Sequence, residues 1–227
     1  FNRMLRPRKH LSKKELKEDK LVTFYAKATA WLENYKSYLI AGLAAVMVLV
    51  LGVFFYFQSS QSSEKSASVE LAKATRAYES GNLQSAIPML SNLVKSHGRT
   101  TSGKIARFYL ANAFFQSKDY DNARINYQKF IDSFSGDKHF QAAAHGGLAA
   151  SLEEKKQYAE AAASYSKAAE KYAGTVHAPL FLFKAGRCYQ QAGKPEQSKV
   201  MFQRIVDEFP KSAEKDEAVL QLAMLGQ

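Results

Sequence analysis

Cysteine is nearly missing from this sequence. Cys188 stands alone among 227 residues, so no internal disulfide can form and the fold must rest on packing. Strand patterning is missing too: beyond residue 68 helical periodicity runs to the end, which predicts an all-α protein. The spacings that carry catalysis are also lacking. Of His10, His97, His139, His145 and His177, no two stand at i, i+4, there is no HExxH, and no Ser/His/Asp arrangement emerges. Gly98 to Ile105 nearly spells a phosphate-binding loop. It has Ile105 where a magnesium-binding hydroxyl is needed, and a helical stretch precedes it rather than a buried strand. Cys188, between Arg187 and Tyr189 on a helical stretch, reads as a packed thiol. The expectation is a non-enzyme with no cofactor and no metal.

Acidic residues are in short supply, with 32 Lys and Arg against 21 Asp and Glu. The excess is uneven. Residues 1–37 hold ten basic and four acidic residues, a net of +6, leaving +5 for the other 190. A basic tail in front of one apolar segment points to membrane topology, not nucleic acid.

That segment, Leu39 to Phe57, is 19 residues without a charge. As a helix it would span roughly 28 Å, close to the hydrocarbon thickness of a bilayer. Trp31, Tyr35 and Tyr38 precede it and Phe54, Phe55, Tyr56 and Phe57 end it, as in the aromatic belts of spanning helices. Nothing else in the chain is apolar enough to surround it as a core helix. A cleaved signal peptide would need a much shorter charged region and a prompt cleavage site, and without a following cysteine a lipoprotein is excluded. The positive-inside rule puts the N-terminus in the cytoplasm and the C-terminal part outside, which is the periplasm if the source is a double-membrane bacterium. Gly42, Ala45 and Gly52 would let the span pack closely against another helix. Leu21, Tyr25, Ala28, Leu32 and Tyr35 share one face of a short amphipathic helix, which either lies in the lipid interface or extends the span. The chain starts at Phe1, not Met, so further sequence upstream is expected.

The divisions expected are a basic tail (1–37), a membrane helix (38–58), a Ser-rich linker or helix extension (59–68), and a repeat domain (69–227). Small residues recur at Ala74, Ala111, Ala149, Gly186 and Ala223, with spacings of 37, 38, 37 and 37. A second series, Ala86, Ala123, Ala161 and Ser198, keeps the first three spacings. Four residues after each of the latter stands a bulky one: Leu90, Tyr127, Tyr165 and Phe202. Small residues let two helix backbones approach, and the bulky residue fills the space beside them. The pattern therefore predicts about four antiparallel helix pairs in a solenoid, each burying a face on its neighbour, with one further helix at 212–225 covering the end.

These residues resemble the tetratricopeptide repeat. The second repeat matches through Leu110, Ala111, Phe114, Tyr120, Ala123 and Tyr127, and the fourth through Gly186, Tyr189, Gly193, Phe202 and Pro210. The period exceeds that family's by three or four residues. The resemblance implies a protein-binding concave groove lined by the first helix of each pair. By repeat position it would hold Leu71, Thr75, Tyr78, Ile105, Phe108, Asn112, Phe115, Glu153, Leu180, Phe183, Arg187 and Gln190, with Ala143, Gly146 and Ala150 leaving open space. Phe108 stands where the carboxylate clamp of chaperone-binding members needs lysine, so that clamp is absent. The layout as a whole, with the stretch from Phe24 to Val46, resembles the YfgM-like ancillary subunits of the Sec translocon. That implies a scaffold beside the secretion channel, contacting lipid, an integral membrane complex and a periplasmic protein or peptide. An accessory subunit of a respiratory or photosynthetic complex fits the same features.

Overall fold

The computed structural model describes residues 13–226, and side chains from Lys20 onward. Arg3, Arg6, Arg8 and Lys9 of the basic tail lie outside the described residues. All elements among the described residues are helices: α1 (Lys13–Glu79), α2 (Leu83–His97), α3 (Thr101–Gln116), α4 (Tyr120–Ser133), α5 (Lys138–Glu154), α6 (Tyr158–Lys171), α7 (Ala178–Gln191), α8 (Pro195–Glu208) and α9 (Lys215–Leu225). The chain divides into two compact units, residues 1–59 and 60–227.

In the first unit, every residue from Leu39 to Phe57 is exposed. By length and composition α1 is apolar enough here to cross a membrane. α1 is continuous through residues 21–35 and through 59–68, the two places where the sequence also admits a helix extension. Between Val53 and Ser80 there is no glycine or proline to stop it.

The second unit is the solenoid, made of the last turns of α1 paired with α2, then α3 with α4, α5 with α6, and α7 with α8. The helices of each pair are joined by one turn geometry used four times. Gly81, Lys118, Lys156 and Gly193 occupy the same repeat position, and all adopt positive φ between 60° and 77°. In each turn the next residue's N–H reaches back five residues, as in Asn82 to Ala77 and Lys194 to Tyr189. This closing motif satisfies the last helical carbonyls and reverses the chain. The loops between pairs lengthen along the chain, from 98–100 and 134–137 to 172–177 and 209–214. The long period is therefore housed partly in these loops.

The two small-residue series do what their spacing implies at every position but Ala223, which is exposed. Ala74, Ala111, Ala149 and Gly186 are buried, as are Ala86, Ala123, Ala161 and Ser198. At Gly186 a Cβ would come within 2.6 Å of the Phe202 ring, so the ring of α8 sits directly on the backbone of α7. The bulky series Leu90, Tyr127, Tyr165 and Phe202 is buried throughout. Each such side chain contributes roughly 1.5–3 kcal/mol by leaving water.

Part of the expected linker belongs to the solenoid. Ala67 is fully buried with Ala74, Leu90 and Leu93. Ser63 Oγ lies 2.9 Å from His97 Nδ1. Glu64 accepts hydrogen bonds from the Thr101 N–H (2.7 Å), the Ser102 N–H (3.1 Å) and the Ser102 hydroxyl (2.6 Å). A carboxylate at the positive end of α3 satisfies donors that a helix leaves unpaired.

Candidate functional site

The first helix of each pair supplies the residues expected to line the groove. Tyr78, on the last turns of α1, is half-buried. Its hydroxyl accepts a 2.7 Å hydrogen bond from Gln116 Nε2, and its ring meets Tyr109 edge-on at 5.6 Å. Burial, with the neighbouring Tyr109, raises its phenol above the ordinary range. Ile105 and Phe115 are half-buried on α3, and Phe115 packs edge-to-face on Tyr120 at 5.4 Å. Asn112 Oδ1 accepts a 2.5 Å hydrogen bond from the Tyr127 hydroxyl.

Phe108 lies in the core of the repeats. It is only 8% exposed and has Tyr109, Tyr127, Phe130 and Phe140 as ring neighbours, the last at 5.2 Å. Its side chain fills the core beneath α4 and α5, with Ala111 and Ala144 in the same cluster. A large apolar side chain three residues from a buried small one lies on the buried stripe of the helix. Phe108 therefore offers a partner almost no surface.

In the fourth pair, Phe183 is half-buried with its ring 5.6 Å from Phe202, while Arg187 is exposed. Gln190 Nε2 donates to Gln221 Oε1 at 3.0 Å, tying α7 to α9. Glu153 on α5 accepts a 3.0 Å hydrogen bond from the buried Tyr165 hydroxyl. Burial and the Glu153 charge push that phenol strongly upward. Lys184 lies 5.6 Å over the same ring. Lys184 lies beside this ring, and by repeat position Leu220 and Met224 on α9, 48% and 58% exposed, correspond to Phe183 and Arg187. The signal for the last two was present. They stand 37 residues after Phe183 and Arg187, one repeat period on.

Polar chemistry elsewhere is structural. The N–H groups that a phosphate would need at the start of α3 are those held by Glu64. Gly103 has no room for a Cβ against the His97 carbonyl, so the loop-like glycine pattern reflects close packing. Cys188 is buried, and burial followed by the Glu153 charge pushes its thiol up to about 12, away from the reactive thiolate. His139 and His177 are ring neighbours at 5.8 Å, but among the described residues no three His, Cys, Asp or Glu gather as metal ligands. Cavities of about 650 and 330 Å³ lie between inter-repeat loops, the larger beside Thr175, Val176, Pro179, Phe209 and Pro210, and the smaller beside Lys138, Gln141 and Tyr172.

Comparison with known proteins agrees with this architecture. Solved structures with the same arrangement include a tetratricopeptide repeat protein from Parabacteroides merdae, at 15% identity over 71% of this chain and 60% of that one, TM-score 0.60. PilF of Pseudomonas aeruginosa matches at 19% identity over 72% of this chain and 69% of its own, TM-score 0.55. MamA of Desulfovibrio magneticus RS-1 matches at 15% identity over 70% and 93%, TM-score 0.53. At these identities the likeness concerns the fold alone. No curated protein sequence matches. The tetratricopeptide repeat motif is found at residues 181–212. The tetratricopeptide repeat-like domain is found at residues 29–171, and with well over half of its length covered the chain belongs to that family.

Proposed function

We propose that this protein is a single-pass, membrane-anchored interaction scaffold. Its N-terminus is cytoplasmic and its solenoid is periplasmic, and it acts as an ancillary subunit of the secretion translocon alongside periplasmic chaperones. In this reading residues 1–37 are the cytoplasmic tail, 38–58 the span, 59–68 a helical extension, and 69–227 the binding domain. The observation that carries the reading lies in α1. One unbroken helix holds both a fully exposed, charge-free stretch with aromatic residues at its two ends and the first helix of the repeats. The family match begins at residue 29, ahead of that stretch, so apolar segment and repeats fall within one domain type. Gly42, Ala45 and Gly52 provide the face on which a channel subunit packs. The groove takes a protein partner through Tyr78, Ile105, Asn112, Phe115, Phe183, Arg187 and Gln190, extended by Leu220 and Met224.

The test is co-purification of the tagged full chain from membranes in mild detergent, with partners identified by mass spectrometry. Secretion-channel subunits and periplasmic chaperones should dominate. An Arg187→Glu, Met224→Asp double variant should lose the chaperones and keep the channel. Recovery of a respiratory or photosynthetic complex in place of the channel would overturn the translocon role and leave only the scaffold.

A further inference from the structure

The inter-repeat loops are occupied in one place and open in another. At the start of the solenoid the Glu64 carboxylate sits against the end of the loop 98–100, held by the Thr101 and Ser102 N–H groups and the Ser102 hydroxyl. Further along, the loops 134–137 and 172–177 leave the cavity of about 330 Å³ between them. Both its walls are interior segments of the chain, flanked by α5, α6 and α7. Its lining is basic and polar: Lys138 and Lys171, with Ser135, Gln141, Tyr172 and Thr175. No Asp or Glu lines it. Asp137, next to Lys138, spends its Oδ1 on the His139 and Phe140 N–H groups, and Glu170, next to Lys171, faces Arg204 at 3.9 Å. Among the described residues Lys138 has no ion pair. The hydrogen-bond partner of Lys171 is uncharged. Its Nζ lies 3.2 Å from His145 Nε2, and because an ammonium group only donates, that imidazole nitrogen accepts and holds no proton. Burial, then the charges of Lys171 and Lys167, keeps His145 in this form by lowering its pKa to about 4. Two ammonium charges therefore reach the cavity without a counter-charge.

We infer that the cavity lined by Lys138 and Lys171 is a binding site for the carboxylate of an acidic side chain on a protein partner. A carboxylate is acceptor-only, with room for several donors, and the lining offers two ammonium groups and the hydroxyls of Ser135 and Thr175. Charge complementarity selects the occupant, since an apolar or basic side chain would leave both lysines unpaired. Glu64 shows that a carboxylate suits the inter-repeat loops of this chain, and there the chain supplies its own. Lys138 and Lys171 are exposed, so each ion pair is screened and modest, and the site reads charge more than sequence. The inference rests on the reading of the solenoid as a protein-binding domain and not on which complex holds the membrane helix.

The probes are the peptides acetyl-Ala-Glu-Ala-amide and acetyl-Ala-Gln-Ala-amide, with inorganic phosphate as a third. Each is titrated into the isotope-labelled full chain in micelles of a neutral detergent and followed by nuclear magnetic resonance. The glutamate peptide should shift the amide signals of residues 135–141 and 171–175 saturably, and the glutamine peptide should not. Lys138→Gln and Lys171→Gln should each weaken binding about threefold, and the double variant about tenfold. Because both lysines are exposed, the double variant should keep the wild-type circular dichroism and melting temperature. Lys194→Gln, an exposed lysine in an intra-repeat turn, should bind as the wild type does. No shift with the glutamate peptide at tens of millimolar, equal shifts from both peptides, or shifts that survive in the double variant overturn the proposal. So do shifts from phosphate alone, which would make the ligand a phosphoryl group. Because the probes are short peptides, a failure here leaves the co-purification result standing, and loss of the channel or the chaperones there leaves this site standing.

Discussion

Tyr127 on α4 donates its phenolic hydrogen to Asn112 on α3, and one repeat later Tyr165 on α6 donates to Glu153 on α5, three residues beyond the position that corresponds to Asn112. The first and fourth repeats have Leu90 and Phe202 at that position, which carry no hydroxyl. The two middle pairs are thus locked by a buried phenol that also fixes a polar side chain on the first helix of the pair. Tyr127→Phe should leave the Asn112 oxygen unpaired and cost about 1 kcal/mol. Asn112→Ala should cost a similar amount, and the double variant little more than either alone. Urea unfolding followed by circular dichroism tests this. A strictly additive double variant would show that the bond contributes nothing.

The intra-repeat turns make a second prediction. Lys118 and Lys156 sit at φ 64° and 60°, where the other two repeats have glycine. A side chain in this left-handed conformation costs roughly 1–2 kcal/mol, partly offset by the greater freedom of glycine in the unfolded chain. Lys118→Gly and Lys156→Gly should each stabilise the solenoid by about 0.5–1 kcal/mol. Gly193→Ala should destabilise it by a similar amount. The three shifts in urea midpoint give the test, and a loss of stability in both lysine variants would show that strain is not what those turns carry.

A third prediction concerns helix starts. Asn82 and Asp119 cap α2 and α4 by accepting from the N–H groups of Ser85 and Asn122. At the same position α6 and α8 begin with Gln157 and Lys194, which make no such bond. Gln157→Asp and Lys194→Asp should each add about 1 kcal/mol, and Asn82→Ala should remove about as much. Thermal melts of the three variants would show whether the caps behave alike across the repeats.

His145 gives the solenoid a pH dependence. Burial, then the charges of Lys171 and Lys167, lowers its pKa from 6.5 to about 4, and Lys171 Nζ lies 3.2 Å from its Nε2. Between those values the unfolded chain binds a proton that the folded chain refuses. This contribution to stability is therefore complete above pH 6.5 and is lost as pH falls toward 4. Partial exposure limits the loss to about 1–2 kcal/mol. His145→Gln should reduce the drop in urea midpoint between pH 7 and pH 4.5. An unchanged drop would assign the whole slope to carboxylates.

The repeat was legible because its physics is periodic. A small residue every 37 or 38 positions, with a bulky one in register, admits few arrangements other than stacked helix pairs. The groove was less legible. Position in the repeat places Phe108 and Phe183 alike, yet Phe108 is enclosed by four rings and Phe183 remains half-open. Which side of a stripe a neighbour covers depends on contacts between pairs, and no single-sequence period encodes them. Leu220 and Met224 were missed for a different reason. A terminal helix read as a cover is not searched for the positions that line a groove.

Glu64 shows the same limit at the start of the solenoid. In QSSQSSEKSAS it is one charge in a polar, Ser-rich run with the composition of a linker. Its role exists only because Thr101 and Ser102, 37 and 38 residues later, start a helix beside it. A carboxylate accepting two backbone N–H groups and a hydroxyl stabilises by roughly 1.5–3 kcal/mol, and its negative charge also suits the positive end of α3. Glu64→Ala should therefore cost about 2 kcal/mol. Glu64→Gln, which keeps one acceptor but no charge, should cost about half of that. If the first repeat loosens as a unit, limited proteolysis of Glu64→Ala should cut first in residues 80–82 or 98–100. Cleavage confined to the later loops, as in wild type, would mean that the contact is dispensable and that residues 59–68 act as a linker after all, even though they are helical.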